Sequence, residues 1–145
     1  MYNMKITYED LEGNEVTETF QFHYSKTELA ELNYNYDGGL QAHIEKIQKA
    51  NSVKEVIALI KDIVLGAYGE KSADGKHFIK EDEEGHKLAN KFKQSEAFSE
   101  CFMTLASDED KLTEFINGCL PKSMLKEIEA EKKKLNAESS VTPIK

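Results

Sequence analysis

Cysteine is scarce in this chain: two thiols, Cys101 and Cys119, in 145 residues. A pair is too few for a disulfide framework. Both stand at apolar positions of helical patterns, where thiols behave as small hydrophobes, so they are expected to stay reduced. No apolar run approaches the roughly 20 residues a membrane helix needs. The opening "MYNMKITYED" has neither the basic nor the apolar region of a secretory signal. A cytoplasmic protein with no membrane partner is expected. Positive charge is also short, with 19 Lys and Arg against 27 Asp and Glu and a net charge of −8. Phosphate recognition needs a basic face, so nucleic acid is not an expected partner.

Catalytic patterns are absent in the same way. No G-x-x-x-x-G-K-[ST] loop occurs, no Ser or Cys sits in a nucleophile motif, and His23, His43, His77 and His86 share no metal-ligand spacing. The reading is of a protein that is not an enzyme and has no cofactor.

What is present is a foldable alternation of signals. At 39% apolar residues the chain can bury a core in one domain. Met4, Ile6 and Tyr8 alternate with polar residues before a Gly13-Asn14 turn, and Val16, Phe20 and Phe22 follow it, which predicts a β-hairpin. Two strands alone are marginal, so this hairpin has to pack on helices or pair with another chain. Ser25 and Glu28 form an S-x-x-E capping box before "KTELAELNY", and Gly38-Gly39 breaks the chain after it. Leu40, Ile44 and Ile47 mark a second helix to Ala50. Ser52 and Glu55 open the most apolar one, with Val53, Val56, Ile57, Ile60, Ile63, Val64 and Ala67 in its stripe and Leu59 and Leu65 outside it.

Further on, Phe92, Phe98, Cys101, Phe102 and Leu105 continue at helical spacing with Ser95 as a cap. Ser107 and Asp110 mark another start, and Gly118 with Pro121 a stop. The acidic run 81–85 reads as the first turn of a helix, favoured there by the macrodipole. The expected fold is therefore α+β and predominantly helical: an N-terminal β-hairpin, about six α-helices and a flexible C-terminal tail. Residues 1–121 form a single domain, with the hairpin in 1–24 and the helical part in 25–121; an amphipathic helix follows in 122–135 and a tail in 136–145.

Two places carry candidate binding chemistry. The first is "LGAYGEKSADGKHFIKEDE", where Glu70, Ser72, Asp74, Gly75 and Glu81 fall at positions 1, 3, 5, 6 and 12 of an EF-hand loop. Position 1 is Glu where Asp is usual, the aliphatic expected at position 8 is His77, and no second loop exists to pair with. A structural joint between two helices explains more: Gly69 as a helix C-cap, Asp74-Gly75 as a tight turn, Phe78 and Ile79 as anchors. The second place is the last helix, whose thin stripe of Met124, Leu125, Ile128 and Leu135 among many charges suits either a solvated helix or docking into a partner's groove.

The order of words from residue 53 to 121 resembles a known family. "IVLGAYGEKSADGKHFIK" followed by "FKQSEAFSECFMTLASDEDKLTEFINGCLP" is similar to small tail assembly chaperones encoded among the tail genes of long-tailed bacteriophages. The residues that carry the likeness are Tyr68, Gly69, Glu70, Lys71, Ser72, Asp74, Gly75, Lys76, Phe78, Ile79 and Lys80, then Gln94 to Glu100 with Phe102 and Met103, then Phe115 to Gly118 and Pro121. His77 stands where Arg is commoner and Cys101 where an aliphatic is commoner. The resemblance implies a protein that binds the tape-measure protein, and tail-tube subunits, while the tail is built in the host cytoplasm. It assigns no reactive site, so the motif residues Tyr68, Gly69, Lys71, Asp74, Gly75, Lys76 and Phe78 are expected to be structural. The competing expectations are a structural virion component of the tail or head-tail region, suggested by the hairpin edge, and a small non-enzymatic interaction module; a homo-oligomer is compatible with each.

Overall fold

The computed structural model describes residues 1–120, apart from the side chain of Gln41. Strands β1 (Tyr2–Glu9) and β2 (Glu15–Phe22) pair antiparallel in eight consecutive pairs from Tyr2 with Phe22 to Glu9 with Glu15. The turn between them is built by Asp10, whose carboxylate accepts the N–H groups of Glu12 and Asn14, and by Gly13 at φ +83°. A residue with a Cβ resists that conformation, so the glycine fixes the register of the hairpin.

Helix α1 (Lys26–Tyr34) starts at a complete capping box: Ser25 accepts from the Glu28 N–H while the Glu28 carboxylate accepts from the Ser25 N–H. Gly38 and Gly39, both at positive φ, then turn the chain into α2 (Leu40–Ala50), which ends at Asn51 in the left-handed region. Ser52 caps α3 (Val53–Ala67).

Two further strands follow that sequence patterning does not announce. Tyr68–Lys71 (β3) pairs with β2, and Phe78–Ile79 (β4) pairs with β3, which completes a four-stranded sheet in the order β1-β2-β3-β4. The expected helix-turn-helix joint is thus a second hairpin. Gly69 does not cap α3 but lies inside β3. The acidic run 81–85 does not start a helix either: it forms a tight turn closed by a bridge between Glu81 and Lys87, and α4 (Leu88–Lys93) begins after it. Helix α5 (Glu96–Ser107) starts at the Ser95 cap, so the continuous pattern from Phe92 to Leu105 is split in two. Helix α6 (Glu109–Cys119) is capped by Asp108 in place of the expected Ser107, and it runs through Gly118 to Cys119. The protein is a mixed α+β fold, predominantly helical, with six helices among the described residues.

The core lies between the sheet and the helices. Phe22, Val64, Ala67, Cys101 and Phe115 are fully buried at its centre, and each buried aromatic of this size contributes about 1.5–3 kcal/mol. The ring of Phe22 meets Tyr68, Phe92 and Phe115 edge-on at 5.8, 5.9 and 5.0 Å between centroids, geometry that aromatic quadrupoles favour. Helix α3 contributes Leu59, Ile60, Ile63, Val64 and Ala67. Its buried face is therefore turned toward Leu59 relative to the expected stripe, and Val53 and Ile57 stay exposed. Cys101 and Cys119 are free and buried, and loss of hydration pushes both thiols up to about 12.

Candidate interaction surface

The carboxyl end of α3 organises the surface beside it. The last four carbonyls of a helix have no partner within it; here two of them, those of Gly66 and Ala67, are met from outside, and a further bond reaches the Ile63 carbonyl just before them. The Tyr24 hydroxyl donates to Ile63 O at 2.5 Å, Lys80 Nζ donates to Gly66 O at 2.6 Å, and the His23 N–H donates to Ala67 O at 2.8 Å. A lysine ammonium at this end also opposes the helix dipole. With the Gly66 and Ala67 carbonyls met from outside, the chain passes from Ala67 into β3 without a glycine cap.

Lys80 is the hub of this region. Its ammonium also pairs with Glu28 at 2.7 Å and sits 4.7 Å from the centre of the Tyr24 ring and 5.8 Å from that of Phe78. Burial alone raises the Glu28 carboxyl, but the hydrogen bonds from Lys80 and from the Ser25 N–H outweigh it and hold the group below the ordinary carboxylate range. Burial pushes the Tyr24 phenol far up, so it is a permanent donor. His23 packs edge-on against Phe78 at 5.5 Å, its Nδ1 atom buried and without a hydrogen-bond partner among the described residues, and burial first, then the α-amino group and Lys80, lower its tendency to charge.

Around this hub runs an open groove of about 720 Å³, walled by α1, α3, β3 and α4. Half-buried Leu32, Tyr36, Leu65 and Tyr68 form its apolar side, and exposed Glu31, Asp62, Glu81, Lys87 and Lys93 form its charged rim. A second hollow of about 530 Å³, lined by His23, Lys76 and Phe78, shares Glu28, Lys80 and Glu81 with the first. Among the described residues no group of three or more His, Cys, Asp or Glu is arranged to hold a metal. The surface thus sets half-buried apolar side chains beside a charged rim.

A sequence model of the phage tail assembly chaperone family matches residues 1–143. The chain belongs to that family. No curated protein and no solved structure matches it. Membership as a tail assembly chaperone implies partners among phage tail proteins, and no described helix is long and apolar enough to cross a membrane.

The motif residues of this chaperone gather in the second hairpin, where each has a packing or turn contact. Tyr68 stacks flat on Phe92 at 4.2 Å. Gly69 lies so close to Phe78 and the Ile79 carbonyl that an added Cβ would stand 2.6 and 2.5 Å from them. The Lys71 N–H donates to the Gln21 side chain. Asp74 accepts from the Ser72 hydroxyl and the Lys76 N–H, which lowers its carboxyl, and Gly75 turns at φ +74°. The would-be calcium loop runs from within β3 through β4, not between two EF-hand helices, and its Asp74 carboxylate is engaged in the turn.

The four residues expected to bind a partner, Met124, Leu125, Ile128 and Leu135, lie outside the described residues. Of the groove's apolar wall, only Tyr68 belonged to the family's motif words. Glu28 was legible only as a capping residue, and Lys80 only as part of the family's word order.

Proposed function

We propose that this tail assembly chaperone holds the tape-measure protein, and tail-tube subunits with it, reversibly and without catalysis in the host cytoplasm until the tail encloses them. The open groove carries this reading. A tape-measure protein is long and presents apolar helical surface before the tube surrounds it, and Leu32, Tyr36, Leu65 and Tyr68 offer a matching apolar wall within a charged rim. The net charge of −8 keeps such a complex in solution. The segment with Met124, Leu125 and Ile128 adds a second contact in this proposal.

The test combines location with binding. Quantitative mass spectrometry should find the chain abundant in infected-cell lysate and absent from purified particles; a fixed copy number in particles would make it a virion component instead. On co-expression with the tape-measure protein, Leu32→Glu with Leu65→Glu should lower co-purification at least tenfold while the circular dichroism spectrum stays that of the parent. Undiminished recovery would move the contact off the groove.

A further inference from the structure

The two edges of the sheet are unlike. One ends in β4, only two residues long, and is followed by the Glu81–Lys87 turn. The other is β1, eight residues paired along its whole length with β2 and interrupted by no bulge. Exposed edges usually carry proline, a bulge, a covering segment or inward charge. Residues 2–9 contain no proline and one lysine, Lys5.

The backbone groups on that edge can be assigned. The Asp10 N–H donates to Asn14 O at 2.9 Å, so Asp10 faces β2. Antiparallel pairs alternate between bonded and non-bonded, which turns Tyr8, Ile6, Met4 and Tyr2 inward and leaves the N–H and C=O groups of Asn3, Lys5, Thr7 and Glu9 pointing away from the sheet. The Thr7 and Thr17 hydroxyls, 2.9 Å apart, fit the close side-chain spacing of a non-bonded pair. Among the described residues, no backbone hydrogen bond outside the β1–β2 ladder reaches these four.

We propose that two copies of the chain join along β1, antiparallel, into one continuous eight-stranded sheet. The strand is its own complement when the two-fold axis passes through Ile6. All four outward residues then find partners: Asn3 opposite Glu9 of the second copy, Lys5 opposite Thr7, and the reverse. Lys5 and Glu9 fall on the diagonal with opposite charge. On the helix-covered face, half-buried Met4 lies opposite half-buried Tyr8. Centring on Lys5 would oppose two like charges, and centring on Thr7 would push Asn3 against the turn. This pairing is isologous and closes at two copies, and it is independent of which tail protein the groove holds.

Sedimentation equilibrium of the full chain tests it, together with amide hydrogen exchange. The expected result is a dimer in which the Asn3, Lys5, Thr7 and Glu9 amides exchange slowly. Lys5→Pro removes no β1–β2 hydrogen bond, because that N–H points outward, and should give a monomer with unchanged circular dichroism. Should proline disturb the strand, Thr7→Lys keeps the backbone donor, sets two lysines opposite each other twice and should weaken the dimer about tenfold; adding Lys5→Glu should restore it. A parent chain that is monomeric at millimolar concentration overturns the proposal. So does a dimer whose four amides exchange freely, or one indifferent to Thr7→Lys.

Discussion

At the scale of single residues, Gly66 shows how a close approach can reverse an ordinary rule. In a helix interior, Gly→Ala is commonly stabilising by about 1 kcal/mol. Here the new methyl group would stand 2.5 Å from the Tyr24 hydroxyl, which is itself bonded to Ile63 O. The ring has to shift and the buried bond is lost, so Gly66→Ala is expected to destabilise the protein by about 1–3 kcal/mol in urea denaturation. In a Tyr24→Phe background the same change should cost less, since the hydroxyl it strikes is gone. A stabilising Gly66→Ala in the parent would mean that Tyr24 does not occupy this position.

At the scale of elements, what was legible in the sequence is what is decided locally. The β1–β2 hairpin and the limits of α1 and α2 rest on Asp10, Gly13, the Ser25–Glu28 box, and the Gly38-Gly39 and Asn51 breaks, all within a few residues of what they determine. The end of α3 is decided at a distance, by Tyr24, His23 and Lys80, and β3 forms because Gly69 fits under Phe78 while β2 offers an unpaired edge. No periodicity over four residues could announce it, and the groove is hidden for the same reason: Leu32, Leu65 and Lys80 meet only in three dimensions. The family's motif words mark the second hairpin without disclosing its shape. The central place of α3 was legible, though not its angle, and it carries a sharp expectation. Ile60 is 2% exposed, so Ile60→Asp places an unpaired carboxylate in the core at a cost of several kcal/mol and should abolish cooperative melting. A soluble variant with a cooperative melt would contradict the packing of α3.

At the scale of the whole molecule, the described titrations give stability a definite dependence on pH. His23 has a folded pKa lowered from 6.5, so the unfolded chain takes up its proton first as the medium is acidified. Stability from this group is complete above 6.5 and is lost as pH falls from there through the folded value. Glu28 has a folded pKa lowered from 4.5; its contribution is complete above that value and is lost as pH falls further. Both act in the same direction from different onsets, so the melting temperature should decline in two stages, the first beginning near 6.5 and the second near 4.5. His23→Gln should remove the first stage alone, because glutamine does not titrate, whereas Lys80→Met should flatten the second by taking away the strongest hydrogen bond to Glu28, and also reduce the first by removing a cation that opposes His23 protonation. Protonation of Glu28 also loosens the Lys80 hub that joins α1 to the end of α3, so the groove and the fold should weaken together below 4.5. A melting temperature that holds level between pH 7 and 5 would show that His23 is solvated in the folded protein, and the burial of its Nδ1 atom beside Phe78 would have to be abandoned.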